Sequence, residues 1–228
     1  MKKQIIFGAI LVFTLFGIAS CNKEDYKVGG DLHNPNVNMT TYDYLKSNRF
    51  GLFDTLLLLV DRAGIKEKIN QKGTFVAPTD FAINNYLMAR TRIEQLKNPF
   101  STWTVDSIIK YELARFADSL DIYIIKDELL PNSVLTSNGT LFRNAKDAVV
   151  VLSYEETDDP NLGYNTNSSV KPKIVYFSYI NQTLPPNFNV SDIVWPIGER
   201  TRVQTSNIQT TTGSLHVLTN SHTLFYFR

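Results

Sequence analysis

The chain of 228 residues is 43% hydrophobic, 12% aromatic and 20% charged, which is enough apolar material for an ordinary core and too little charge for a disordered polyelectrolyte. Its 23 basic and 22 acidic residues leave a net charge of +1 with no basic run, which argues against a nucleic-acid partner. A single cysteine, Cys21, excludes an internal disulfide and, unless Cys21 itself serves, thiol catalysis or a cysteine-bound metal.

Lys2 and Lys3 precede an almost wholly apolar run, Ile5 to Ile18. That run is short for a spanning helix and is flanked like the h-region of a signal peptide. It ends in Ile18-Ala19-Ser20-Cys21, which resembles the lipobox of bacterial lipoproteins. The resemblance implies cleavage before Cys21 and acylation of its thiol, of the palmitate kind; the alternative is an ordinary signal peptide followed by a chance cysteine. Two or more acyl chains hold a protein on a bilayer without spanning it, at about 0.8 kcal/mol per buried CH₂. Asn22-Lys23-Glu24-Asp25 resembles the export signal of surface-displayed lipoproteins in some Gram-negative bacteria, so surface exposure on the outer membrane is expected, with the periplasmic face as the alternative. The expected organisation is a signal peptide over 1–20, a flexible Gly/Asn/Pro-containing tether over 21–39 and one domain over 40–228. Without 1–20 the chain has 21 basic and 22 acidic residues, a net of −1.

Thr40, with Asp43 three residues on, resembles a capping box and opens a helix. Leu45, Leu52, Phe53, Leu56, Leu57 and Val60 continue its apolar face past Gly51, and Gly64 suits a left-handed C-terminal position. Ile65 and Ile69 predict one more short turn. Gly73 to Ala77 reads as a strand, and Pro78-Thr79-Asp80 as a turn in which Thr79 caps the next helix. Asn98-Pro99 breaks that helix, and Thr104 caps another holding Ile108, Ile109, Tyr111, Leu113 and Phe116.

From Asp121 onward the pattern turns to strands: 121–125, 134–136, 140–143, 148–154, 173–179, 203–205 and 214–218 are rich in β-branched and aromatic residues between turn formers. Asn138-Gly139 is a hairpin signal. Helices first and strands later predict an α+β domain, with loop insertions at 155–172 and 181–200.

Two segments resemble the signatures of the fasciclin (FAS1) domain family. Thr74-Phe75-Val76-Ala77-Pro78-Thr79-Asp80-Phe81-Ala82 is similar to the first, a strand running into a Pro-Thr-Asp turn and a helix. Ser206 to Leu218, with Gly213-Ser214-Leu215-His216-Val217-Leu218 at its end, is similar to the second. Ile108-Ile109-Lys110-Tyr111 falls where the family has its central helix. The resemblance covers Thr40 to Leu218. It implies a β-wedge of two small sheets packed with several helices, with the two signatures side by side, and a role in adhesion or extracellular interaction. There are two departures. The family's Tyr-His is Tyr111-Glu112 here, so integrin-type adhesion is not carried over, and Thr212 stands where the second signature has Asn.

Catalytic spacing is not found. The histidines are His33, His216 and His222, and there is no H-E-x-x-H, Walker loop or G-x-S-x-G. A Ser-His-acid triad is recognised by geometry and stays open. His216 reads as a hydrogen-bonded structural residue. Glu155, Glu156, Asp158 and Asp159 form an acidic cluster without EF-hand spacing, so a solvated loop is expected over a Ca²⁺ site. Trp103, Trp195, Tyr164 and Tyr179 are candidates for stacking on sugars. The ligand-binding candidates are Trp195, Tyr164 and Arg200, the last through bidentate bonds to a carboxylate. No cofactor, metal or enzymatic activity is expected. The primary reading is a lipid-anchored adhesion or interaction module that meets an extracellular protein or glycan; the alternative is an accessory glycan-binding lipoprotein of a surface uptake system.

Overall fold

The computed structural model describes residues 34–162, 171–184 and 198–227. Helices dominate the first half and strands the second, an α+β arrangement. The folded unit begins at Pro35. The Val37 amide donates to Gln209 O and the Gln209 amide to Pro35 O, each at 2.8 Å, so residues 35–39 of the expected tether lie against a strand.

Helix α1 (Thr41–Lys46) starts where the Thr40 hydroxyl accepts the Asp43 amide and donates to the Asp43 carboxylate. The single helix expected from Thr40 to Gly64 is broken. The chain leaves helical geometry after α1, Gly51 takes a left-handed φ of 62°, and α2 (Asp54–Ala63) begins afresh. Helix α2 is capped from a distance: the Asp80 carboxylate accepts the Thr55 and Leu56 amides at 2.8 and 2.9 Å. This satisfies two of the orphan donors of a helix start and places negative charge at its positive end. Gly64 closes α2 at φ 66°, and α3 (Lys66–Asn70) is the expected extra turn.

Strand β1 (Gly73–Ala77) is buried throughout and turns through Pro78 and Thr79 into α4 (Asp80–Gln95). Thr79 does not cap α4; its hydroxyl donates to Asn220 Oδ1 at 3.1 Å. Asp80, expected to favour its own helix end, serves α2. Helix α5 runs from Val105–Ser107 through a π turn, Ile108–Glu112, into Leu113–Ser119, and starts at a reciprocal Thr104–Ser107 capping box.

The strands are β2 (Ile124–Lys126), β3 (Thr140–Arg143), β4 (Val149–Glu156), β5 (Lys173–Tyr179), β6 (Glu199–Gln209) and β7 (Gly213–Leu218). With β1 they form one sheet in the order β2-β1-β7-β6-β5-β4-β3. The two expected sheets are its two halves, joined along β6. The start of β6 pairs with β5 and its end with β7, with register shifts between Val203 and Ile208 where the strand bends. Asn207 takes a left-handed φ of 66° at that bend.

Three strand expectations change. Residues 134–136 are not a strand: Asn132–Val134 forms a 3₁₀ turn after Pro131, and the Asn132 amide is taken by Asn207 Oδ1 at 3.0 Å. The 121–125 segment is a 3₁₀ turn, Leu120–Tyr123, that only then enters β2. The Asn138-Gly139 turn leads into β3, whereas the β3–β4 hairpin closes at Asn144 to Asp147. There Asn144 Oδ1 accepts the Lys146 and Ala148 amides and Asp147 is left-handed.

The apolar interior is one cluster in which Leu56, Val60, Phe75, Ile83, Phe116 and Val217 meet. Strands β1 and β7 are buried on both faces. Residues 128–130 are pegged to them by Thr74, whose hydroxyl donates to Glu128 O and accepts the Leu130 amide, and by His216 Nε2 on Leu130 O at 2.8 Å. The two backbones approach so closely that a Cβ on Gly213 would stand 2.2 Å from Gly73 O. Gly213→Ala is therefore expected to destabilise the fold by about 1–3 kcal/mol, read as a lower urea midpoint with an unchanged m value.

Candidate functional site

The two sequence signatures meet. Strand β1 pairs in parallel with β7, Thr74 opposite Ser214 and Val76 opposite His216. The residues they bring together are structural. His216 is fully buried, its Nε2–H donates to Leu130 O, and burial pushes its pKa down to about 4, so the ring is neutral. Thr212, in place of the family's Asn, accepts the Thr41 amide at 3.0 Å, and the hydroxyls of Thr41, Thr210 and Thr212 form a triangle of hydrogen bonds that ties α1 to the β6–β7 turn.

Of the predicted ligand residues, Tyr164 and Trp195 lie outside the described residues, as does Cys21. Arg200 sits near the start of β6. Its guanidinium lies 3.7 Å from the centre of the Tyr176 ring and donates to Glu155 Oε1 at 2.7 Å. The structure thus engages Arg200 inside the fold and joins it to the acidic cluster. Asp158 of that cluster pairs with Lys171 at 3.0 Å. Among the described residues no three His, Cys, Asp or Glu side chains converge on a metal-sized site. Trp103 packs beneath the Arg90 guanidinium at 4.4 Å, and Tyr179 stacks on Tyr226 at 5.2 Å.

The Tyr111-Glu112 departure has a physical explanation. Within the π turn Tyr111 is 64% exposed, whereas Glu112 turns inward. Its carboxylate accepts from Tyr86 Oη at 2.5 Å, Arg90 at 3.1 Å and Arg115 at 3.3 Å. A carboxylate here pairs with two guanidinium groups beside a buried phenol. A histidine could neither balance that charge nor accept three donors.

A polar cleft lies elsewhere, between β6 and the C-terminal turn Leu224–Tyr226. A cleft of about 330 Å³ opens there, lined by Glu199, Thr201, Ser221, His222, Thr223 and Tyr226 among others. Two consecutive aromatic residues, Phe225 and Tyr226, hold left-handed φ values of 60° and 55°. Such strain, about 1–3 kcal/mol per residue, persists only where surrounding contacts over-determine it. They do so here. Tyr123 Oη accepts the Phe225 amide at 2.7 Å and bonds His222 Nε2 at 2.7 Å, while Tyr226 lies between Tyr179, Tyr123 and His222. Since the amide occupies Tyr123 Oη as acceptor, its proton goes to His222 Nε2, which places the histidine's own proton on Nδ1. Burial pushes His222 down to about 3. Burial also raises the phenols of Tyr123 and Tyr226 above the ordinary tyrosine range. The resemblance ends at Leu218 and gave no notice of this site; the available cue was the run Ser221-His222-Thr223 before three aromatics.

Both buried histidines have native pKa values below the unfolded value of 6.5. Between pH 6.5 and 4 the unfolded chain takes up protons that the native chain refuses, so the stability is complete above 6.5 and is lost as pH falls. The expected slope is about 1.4 kcal/mol per pH unit for each histidine. Thermal melts of the wild type from pH 7 to 4.5, set against His222→Gln, are expected to show a shallower slope in the variant.

No protein-family model matches the sequence, and no curated protein matches it. Among solved structures the chain is similar to a FAS1 domain pair from the insect cell adhesion molecule fasciclin I, at 11% identity and a TM-score of 0.42, over 78% of this chain and 46% of that one. The chain thus spans less than half the length of that two-domain structure.

Proposed function

We propose that the chain is a bacterial lipoprotein, acylated at Cys21, that displays one FAS1-type domain as a non-enzymatic adhesion or interaction module. The observation that carries the domain reading is the parallel pairing of β1 with β7, which sets the two FAS1-like signatures side by side. The structural roles found for Thr74, Asp80, Thr212 and His216 support a scaffold in which those motifs persist for folding rather than for chemistry. Exposed Leu96, Phe100 and Tyr111, on and just after the connection from α4 to α5, favour contact with a protein surface.

The anchor rests on the Lys2-Lys3 start, the apolar run and Ile18-Ala19-Ser20-Cys21. No described helix is long and apolar enough to cross a membrane. Surface display on the outer membrane rests on Asn22-Lys23-Glu24-Asp25. An extracellular protein or glycan is the partner class, and the net charge of −1 after Cys21 exposure disfavours nucleic acid.

Expression of Cys21→Ala is expected to leave unprocessed precursor that takes up no radiolabelled palmitate and no longer partitions into detergent. Labelled mutant would sink the lipoprotein assignment. For the intact protein, surface display predicts digestion by protease added to whole cells, and a periplasmic domain would survive it.

A further inference from the structure

We infer that the cleft between β6 and the C-terminal turn binds a saccharide, seating one neutral sugar ring. This deepens the reading of the domain as a binding module, on which it rests, by naming the ligand class.

A volume of about 330 Å³ lies at the lower end of small-ligand sites, which run from roughly 300 Å³ upward, and suits a single ring. Its lining is dense in hydroxyl groups, from Thr201, Thr219, Ser221, Thr223 and Tyr226. One buried group at the cleft is unsatisfied. Tyr226 Oη is buried and meets the Thr201 hydroxyl only outside hydrogen-bond geometry. A buried polar group without a partner costs about 1–3 kcal/mol. A ring bearing several hydroxyls supplies an acceptor for that phenol, and it can donate in turn to the Ser and Thr oxygens of the lining.

The charges argue for a neutral ring. Glu199 and Arg202 line the cleft with opposite signs, and Arg200 is already paired with Glu155. The rings of Tyr226 and Phe227 add apolar surface for the C–H face of a sugar. Glu199 is the one acid among the described residues of the lining, and glycoside hydrolysis generally uses a pair of carboxyl groups.

The test is saturation-transfer NMR on the full chain in detergent. The probes are the methyl glycosides of glucose, galactose, mannose and N-acetylglucosamine, with glucuronic acid as the charged comparison. Transfer to at least one neutral glycoside is expected. Tyr226→Phe, which removes one oxygen and keeps the ring, is expected to weaken that binding about tenfold with an unchanged melting temperature. If that variant melts early, Ser221→Ala decides instead, because its hydroxyl is bonded only to Thr219 at 3.1 Å; it is expected to weaken binding several-fold. No transfer to any neutral glycoside, transfer to glucuronic acid alone, or binding unchanged in the deciding variant would overturn the assignment. Cells that still adhere through the protein while it ignores all the sugars would overturn this inference and leave the interaction-module reading standing.

Discussion

The fold depends on a close backbone approach. β1 and β7, the two strands that carry the sequence signatures, run parallel, are buried on both faces and pass near enough that Gly213 has no room for a Cβ beside Gly73 O. Parallel pairs buried on both sides are ordinary in α/β proteins but need cover on each face. Here the helices supply one cover and residues 128–130 the other. The second cover is irregular backbone, which can be buried only if its polar groups are satisfied. That requirement accounts for two of the buried polar residues of these strands. Thr74 serves as donor and acceptor to the covering segment, and His216 donates to it, neutral because it is dry.

The same logic of burial with compensation organises the rest of the molecule. Glu112 concentrates charge at one point so that two arginines and a phenol are answered together, and Arg90 then lies over Trp103. Asp80 leaves its own helix and serves the start of α2, which couples the strand-to-helix turn to a helix more than twenty residues earlier. Tyr123 performs the corresponding task at the chain end, fixing the His222 tautomer and the Phe225 backbone with one oxygen. In each case one side chain with several hydrogen-bonding positions fixes two elements at once.

What was legible in the sequence was what depends on local pattern. The α+β order, the limits of β5 and nearly those of β7, the Gly64 cap and the Thr104 cap follow from periodicity and turn chemistry. The adjacency of the two signatures followed from the resemblance. What failed depends on partners distant in sequence. Residues 134–136 have strand composition, yet the chain there is held as a turn by Asn207, more than seventy residues away. Thr79 has the identity of a helix cap but finds Asn220 instead. The break between α1 and α2 is signalled by Gly51, but an uninterrupted apolar stripe outweighed it. The cleft was illegible because its lining comes together only when β6 lies beside the turn Leu224–Tyr226. Arg200 was chosen for its charge, and its Glu155 and Tyr176 contacts arise only from strand register.

The ends of the sheet bear on how the protein can associate. The edge strands β2 and β3 have three and four residues. The Ala145 amide donates to Ile124 O at 2.7 Å and Asn144 Nδ2 to Ile122 O at 3.1 Å, so the turn after β3 uses acceptors at the β2 end. A sheet that draws its two edges together in this way offers a poor template for an added strand. Partners, including further copies of the chain, must then engage side chains and clefts rather than extend the hydrogen-bonded ladder. A protein crowded beside its neighbours would thereby be protected from edge-to-edge polymerisation.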